Sequence, residues 1–107
     1  MPAIVEVSTT TENAEQAQAI ARALVDQKLA ACVQISGPIS SVYRWQGKIC
    51  EGEEYKCTCK TSRPLVETLV KHLLEIHPYD VPEILINDVD GCSEEYGQWL
   101  ESQLATE

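Results

Sequence analysis

The chain has 107 residues, 44% hydrophobic and 23% charged, a length that holds one domain and a composition that excludes disordered, collagen-like and low-complexity classes. Seventeen Asp and Glu against eight Lys and Arg give a formal net charge of −9, which argues against nucleic acid and anionic membranes as partners, since phosphate contacts need clustered basic residues. No apolar run approaches the roughly 20 residues of a membrane span, residues 1–10 have no basic region followed by an apolar stretch, and the five cysteines are irregularly spaced, so the expectation is one cytoplasmic domain over residues 1–107, with thiols rather than disulfides and no metal required for folding.

In chain order, residues 3–9 are apolar and β-branched and read as a strand, followed by Thr9 to Asn13, residue types that end strands and cap helices. Over 14–29, Ala17, Ile20, Ala21 and Leu24 fall at i, i+3, i+4, i+7, the spacing of an amphipathic helix. Residues 31–45 are strand-like, with a bulge or bend expected at Gly37-Pro38, because proline cannot donate to a ladder. Gln46-Gly47-Lys48 is a turn. Residues 54–60 alternate, with Glu54, Lys56, Thr58 and Lys60 on one face and Tyr55, Cys57 and Cys59 on the other, as in a half-buried strand.

Ser62 as N-cap, Pro64 in the first turn, and Val66, Leu69, Val70 and Leu73 at helical spacing give a second helix to Ile76. His77-Pro78 stops it and Val81-Pro82 repeats the restriction, so 77–82 is expected to be rigid and extended. Residues 83–89 read as a strand buried on both faces. Ser93 then caps a last helix carrying Tyr96, Trp99, Leu100 and Leu104. This βαββαβ order plus a terminal helix is the α+β, ferredoxin-like arrangement, with two helices on one face of an antiparallel sheet. Residues 31–46 fully extended would reach about 53 Å at 3.3 Å per residue, beyond the roughly 34 Å diameter of a compact chain of this size. The hairpin must bend or project. Projection leaves Val42, Tyr43 and Trp45 in water, and pairing with further copies of the chain resolves that exposure.

His77 is the candidate metal ligand, imidazole and thiolate being the side chains that hold Cu and Zn. Its alternative role is to end a helix with its ring bonded to a carbonyl or carboxylate. Cys57 and Cys59 share a strand face and could bridge a soft ion, but alternation with charged residues directs them to the core. The runs Glu51 to Glu54 and Glu94-Glu95 read as solvated charges of a turn and a helix start. No nucleophile elbow, Walker loop or His-Glu-x-x-His is present.

Ser41-Val42-Tyr43-Arg44-Trp45-Gln46-Gly47-Lys48 and His77-Pro78-Tyr79-Asp80-Val81-Pro82-Glu83 resemble the CutA family, also called divalent-cation tolerance proteins. Leu29-Ala30-Ala31-Cys32-Val33, Lys60-Thr61, Tyr96 and Trp99-Leu100 extend the likeness over nearly the whole chain. The resemblance implies a homotrimer of ferredoxin-like subunits, similar in build to PII signalling proteins, whose hairpins exchange edge-strand contacts around a threefold axis. It also implies a link to tolerance of copper and other divalent cations, with no settled catalytic reaction. The copper site proposed for bacterial relatives falls at Ser8, Ile76 and His77 here, leaving one ligand of three.

The expectation is a non-enzymatic trimer that presents an inter-subunit cleft, with Tyr43, Trp45, Lys60, Tyr79 and Glu83, to copper, another divalent cation or a small ligand. Two alternatives stand beside it. One is a small cytosolic enzyme using His77 and Glu83 as a general acid/base pair with Lys60 as an electrophile. The other is a structural adaptor, as relatives implicated in protein trafficking suggest.

Overall fold

The structure, a computed structural model, describes residues 3–106, so residues 1, 2 and 107 of the expected domain lie outside it. Four strands and three helices follow in order: β1 (Ile4–Thr11), α1 (Ala14–Asp26), β2 (Cys32–Trp45), β3 (Lys48–Ser62), a 3-10 turn (Arg63–Leu65), α2 (Val66–Ile76), β4 (Ile84–Asp88) and α3 (Glu94–Ser102). The sheet is antiparallel in the order β2-β3-β1-β4, the ferredoxin-like arrangement expected from the element order.

Side-chain alternation divides the sheet. Val5, Val7, Thr9 and Thr11 of β1 share a face with their partners Thr61, Cys59, Cys57 and Tyr55 of β3. Val5, Val7 and Cys59 join Ile20 and Leu24 of α1 and Leu69 and Leu73 of α2 in the main apolar cluster. Leu24, Leu69, Leu73 and Leu100 are wholly buried, each worth about 1.5–3 kcal/mol of transfer free energy. The four α1 residues placed inward by their spacing, Ala17, Ile20, Ala21 and Leu24, are the four that are buried.

Several boundaries differ from the sequence expectation, each for a local reason. β1 runs on through Thr10 and Thr11, which pair with Lys56 and Tyr55, because β-branched threonines suit a pleated surface; the N-cap role falls to Asn13, whose side chain accepts the Gln16 amide. α1 ends at Asp26 rather than 29. Lys28 takes a left-handed φ of 60°, and the amides of Lys28 and Leu29 turn back to the carbonyls of Val25 and Leu24, the closure of a Schellman turn. β3 begins at Lys48, so Glu51 to Glu54 belong to a strand and not to a turn.

Residues 78–81 form bends instead of an extended run, because the Tyr79 amide turns back to the His77 ring. β4 is a sheet edge with Leu85 and Ile86 about half exposed, not a strand buried on both faces: it pairs only with β1 among the described strands. In α3 Leu100 is buried, as is Leu104 just beyond its end at Ser102, whereas Tyr96 and Trp99 stay exposed and pack against each other. Neither Ser62 nor Ser93 makes a side-chain cap bond. No helix among the described residues is long and apolar enough to cross a membrane.

Candidate functional site: a recess beneath the hairpin arm

The β2-β3 hairpin projects, and the molecule is 45 Å along its longest axis. At its tip Gln46 and Gly47 both take left-handed φ values, 50° and 76°, the turn that matches the twist of a tight hairpin. Lower down, the register skips between Ser36 and Ile39, so that Gly37 and Pro38 stand opposite Tyr55 alone. This is the expected bulge, and it re-aims the arm. Gly37 is required there, since a Cβ would lie 2.5 Å from Tyr55 Cδ2. Beyond the bulge Tyr43 and Trp45 pair with Cys50 and Lys48 and, two residues apart, share one face of the arm. Tyr43 is 48% and Trp45 56% exposed.

Below the arm, the end of β1 and the bend after α2 close a recess of about 920 Å³. Tyr43, Trp45 and Tyr79 line it, as do Glu12, Glu53, Glu54, Asp80 and Glu83, with Glu54 on the face of the arm that carries Tyr43 and Trp45 and Glu53 on the opposite face. The lining contains no Lys, Arg or His. Burial raises the Tyr79 hydroxyl above its ordinary pKa, and the neighbouring Glu54 and Glu12 charges add to the rise, so the phenol stays protonated. Four of the five cleft residues named from sequence, Tyr43, Trp45, Tyr79 and Glu83, line this recess. Lys60 does not: it pairs with Glu6 and Cys32, and its ammonium lies 5.8 Å from the Tyr96 ring centroid.

His77 sits behind the recess wall, 8% exposed. Its Nε2 lies 3.0 Å from the Thr10 carbonyl oxygen, and its Nδ1 is 3.0 Å from the Tyr79 amide nitrogen. A carbonyl only accepts and an amide only donates, which fixes the neutral tautomer with the proton on Nε2. The Tyr79 ring meets the imidazole edge-on at 4.9 Å. Burial lowers the His77 pKa below 6.5, partly opposed by the bond to Thr10. Both nitrogens are thereby engaged, and no lone pair is left for a metal.

The other two positions matching the copper site supply the buried hydroxyl of Ser8 and the alkyl chain of Ile76, neither of which suits copper or zinc. Among the described residues no group of three or more His, Cys, Asp or Glu could hold a metal ion. The set does not fit a resident metal. Cys57 and Cys59 lie wholly buried, with burial pushing their thiols up to about 11 and about 12; the Cys57 thiol donates to the Ala17 carbonyl at 3.6 Å. The sequence reading missed Glu12 and Asp80 as lining residues, read Glu53 as a turn charge and placed Glu54 only at the start of a strand. Extending the alternation of β3 back to the Gln46-Gly47 turn would have set these two on the arm.

The family model for "CutA1 divalent ion tolerance protein" matches residues 5–103. The divalent-cation tolerance protein CutA of Thermus thermophilus is 39% identical over 94 residues, covering 88% of this chain and 91% of that protein. The chloroplastic protein CutA of Arabidopsis thaliana is 40% identical over 102 residues, but this chain spans only 56% of that protein's length. The crystal structure of divalent ion tolerance protein CutA1 from Ehrlichia chaffeensis superposes with a TM-score of 0.94 at 34% identity, covering 99% of both chains. With sequence, family model and fold in agreement over almost every described residue, the chain belongs to the CutA1 divalent ion tolerance family.

Proposed function

We propose that the chain works without catalysis, as a homotrimer in the cytoplasm, and that its recess becomes an inter-subunit cleft receiving a divalent cation or small ligand in the response to metal ions. The observation that carries this reading is the lining itself: five acidic residues, three aromatic residues and no Lys, Arg or His beneath an arm whose Val42, Tyr43 and Trp45 are exposed. Such an arm invites burial against another copy. A divalent ion here is cargo met by carboxylates, not a resident group held by His77.

The enzyme reading loses support because Lys60 stands apart from His77. Lys60 pairs with Glu6, four residues and roughly 13 Å along β1 from Thr10, whose carbonyl holds His77. No ion pair joins Lys60 to Glu83 among the described residues; the exposed pair that does form is Arg63 with Asp88.

Light scattering combined with calorimetry tests the proposal. The expected mass is three times 11.9 kDa, with Cu²⁺ binding that is modest and little changed by His77→Ala. A stable monomer at micromolar concentration would overturn the trimer. Submicromolar, stoichiometric Cu²⁺ binding abolished by His77→Ala would overturn the assignment of His77 as a structural residue.

A further inference from the structure

We propose that the recess is built for an organic ammonium ion, a small alkylated amine, in preference to a hydrated divalent metal or to any anion. The proposal rests on the cleft reading above and names its ligand class. Three independent features of the lining converge on it.

The first is aromatic. The chain has four Tyr, two Trp and no Phe, and three of these six rings, Tyr43, Trp45 and Tyr79, border this one recess. Two come from the arm and one from the bend after α2, elements far apart in sequence. An exposed ring face attracts a cation through its quadrupole, and a weakly hydrated ammonium can reach that face where a metal wrapped in its water shell cannot.

The second is how the carboxylates are distributed. Glu12, Glu53, Glu54, Asp80 and Glu83 outnumber the nearest cations, Lys48 opposite Trp45 and Lys56 opposite Thr10, so the net field disfavours phosphates and nucleotides. Yet they do not converge: no three acidic, His or Cys groups stand close enough to share one metal ion among the described residues. Spread charge around a volume serves a ligand with its own bulk. The third is that volume, about 920 Å³, within the range of sites that take small organic molecules and far beyond one ion. The protonated Tyr79 hydroxyl adds a neutral polar group to the lining.

The test uses the full chain with Trp99→Phe, which leaves Trp45 as the reporter. Tetramethylammonium chloride is titrated against sodium chloride of equal ionic strength, and Mg²⁺ and Zn²⁺ are run separately. The expected result is a saturable change in Trp45 emission with tetramethylammonium alone, weakened about fivefold by Tyr79→Leu, the worth of one ring under a solvated cation. Glu54→Gln, on a different element, is expected to weaken it as well, and light scattering on each variant checks that assembly is intact. Saturable Zn²⁺ or Mg²⁺ binding without tetramethylammonium binding would overturn this inference and leave the cleft reading standing. Failure of all three probes would overturn both. Tetramethylammonium affinity unchanged in Tyr79→Leu would refute the aromatic recognition.

Discussion

Two threonines on the helix-facing side of the sheet allow one chemical change to be made twice with opposite expected results. Thr9 and Thr61 are both 0% exposed and lie on β1 and β3, facing the helices. The Thr61 hydroxyl donates to the Leu29 carbonyl at 2.7 Å, tying β3 to the chain leaving α1. Thr9 Oγ1, between Cys57 of β3 and Ile84 of β4, finds no hydrogen-bond partner among the described residues. Burying a hydroxyl without a partner costs about 1–3 kcal/mol, and replacing it by a group of the same shape recovers that cost. Thr9→Val is therefore expected to stabilise the protein by about 1 kcal/mol or more. Thr61→Val removes a formed bond and leaves a buried carbonyl unsatisfied, a loss of about 1–3 kcal/mol.

The two variants should then stand at least about 2 kcal/mol apart, with midpoints separated by 8 °C or more at roughly 4–8 °C per kcal/mol for a domain of this size. Thermal and urea unfolding at a single protein concentration measure the gap, the fixed concentration removing any contribution from assembly. Both variants retain a β-branched side chain, so strand propensity is unchanged. A loss of stability in Thr9→Val, or equal shifts of the same sign in both variants, would refute the assignment of an unsatisfied hydroxyl at Thr9.

The remaining predictions concern titration and reactivity. The folded His77 pKa lies below 6.5, so the unfolded chain binds more protons in this range; the stability His77 confers is fully present above pH 6.5 and is lost as pH falls from there to the folded pKa. Subtracting the pH profile of His77→Gln from that of the native chain isolates this slope, and identical profiles would show that the ring is not held neutral. Cys57 and Cys59 should resist iodoacetamide in the native protein and react on unfolding, after the half-buried thiols. Mass mapping reads the order, and early modification of Cys59 would contradict its place in the core.

How much of this was legible in the sequence follows the range of each interaction. Ala17, Ile20, Ala21 and Leu24 could be placed from spacing because a helix face is set by neighbours three and four residues apart. The Gly37-Pro38 bulge was legible for the same reason, since a missing donor acts locally. Lys28 gave no signal: its left-handed conformation answers to the carbonyls of Leu24 and Val25, and glycine is the residue that ordinarily marks such a turn. β4 misled because Ile84, Leu85 and Ile86 look like a strand covered on both faces, whereas the sheet order makes it an edge. The resemblance to CutA supplied four recess residues, but Glu12 and Asp80 come from segments that meet only when β1 and the bend after α2 are folded together.

His77 shows why the residue most readable as a metal ligand is the one the fold engages most completely. Its position after α2 and before Pro78 forces an extended backbone, with φ −69° and ψ 136°, and that geometry swings the ring back over the end of β1. There Thr10 takes the Nε2 proton in a hydrogen bond while Tyr79 fills the Nδ1 lone pair. Both Thr10 and Tyr79 line the recess, so the imidazole fixes two parts of its wall without entering it. The histidine-proline-tyrosine run that resembles CutA thus owes its form here to a hydrogen-bonded brace. In the proposed cleft, cation recognition would then fall to the acidic residues and rings on the other side of that wall.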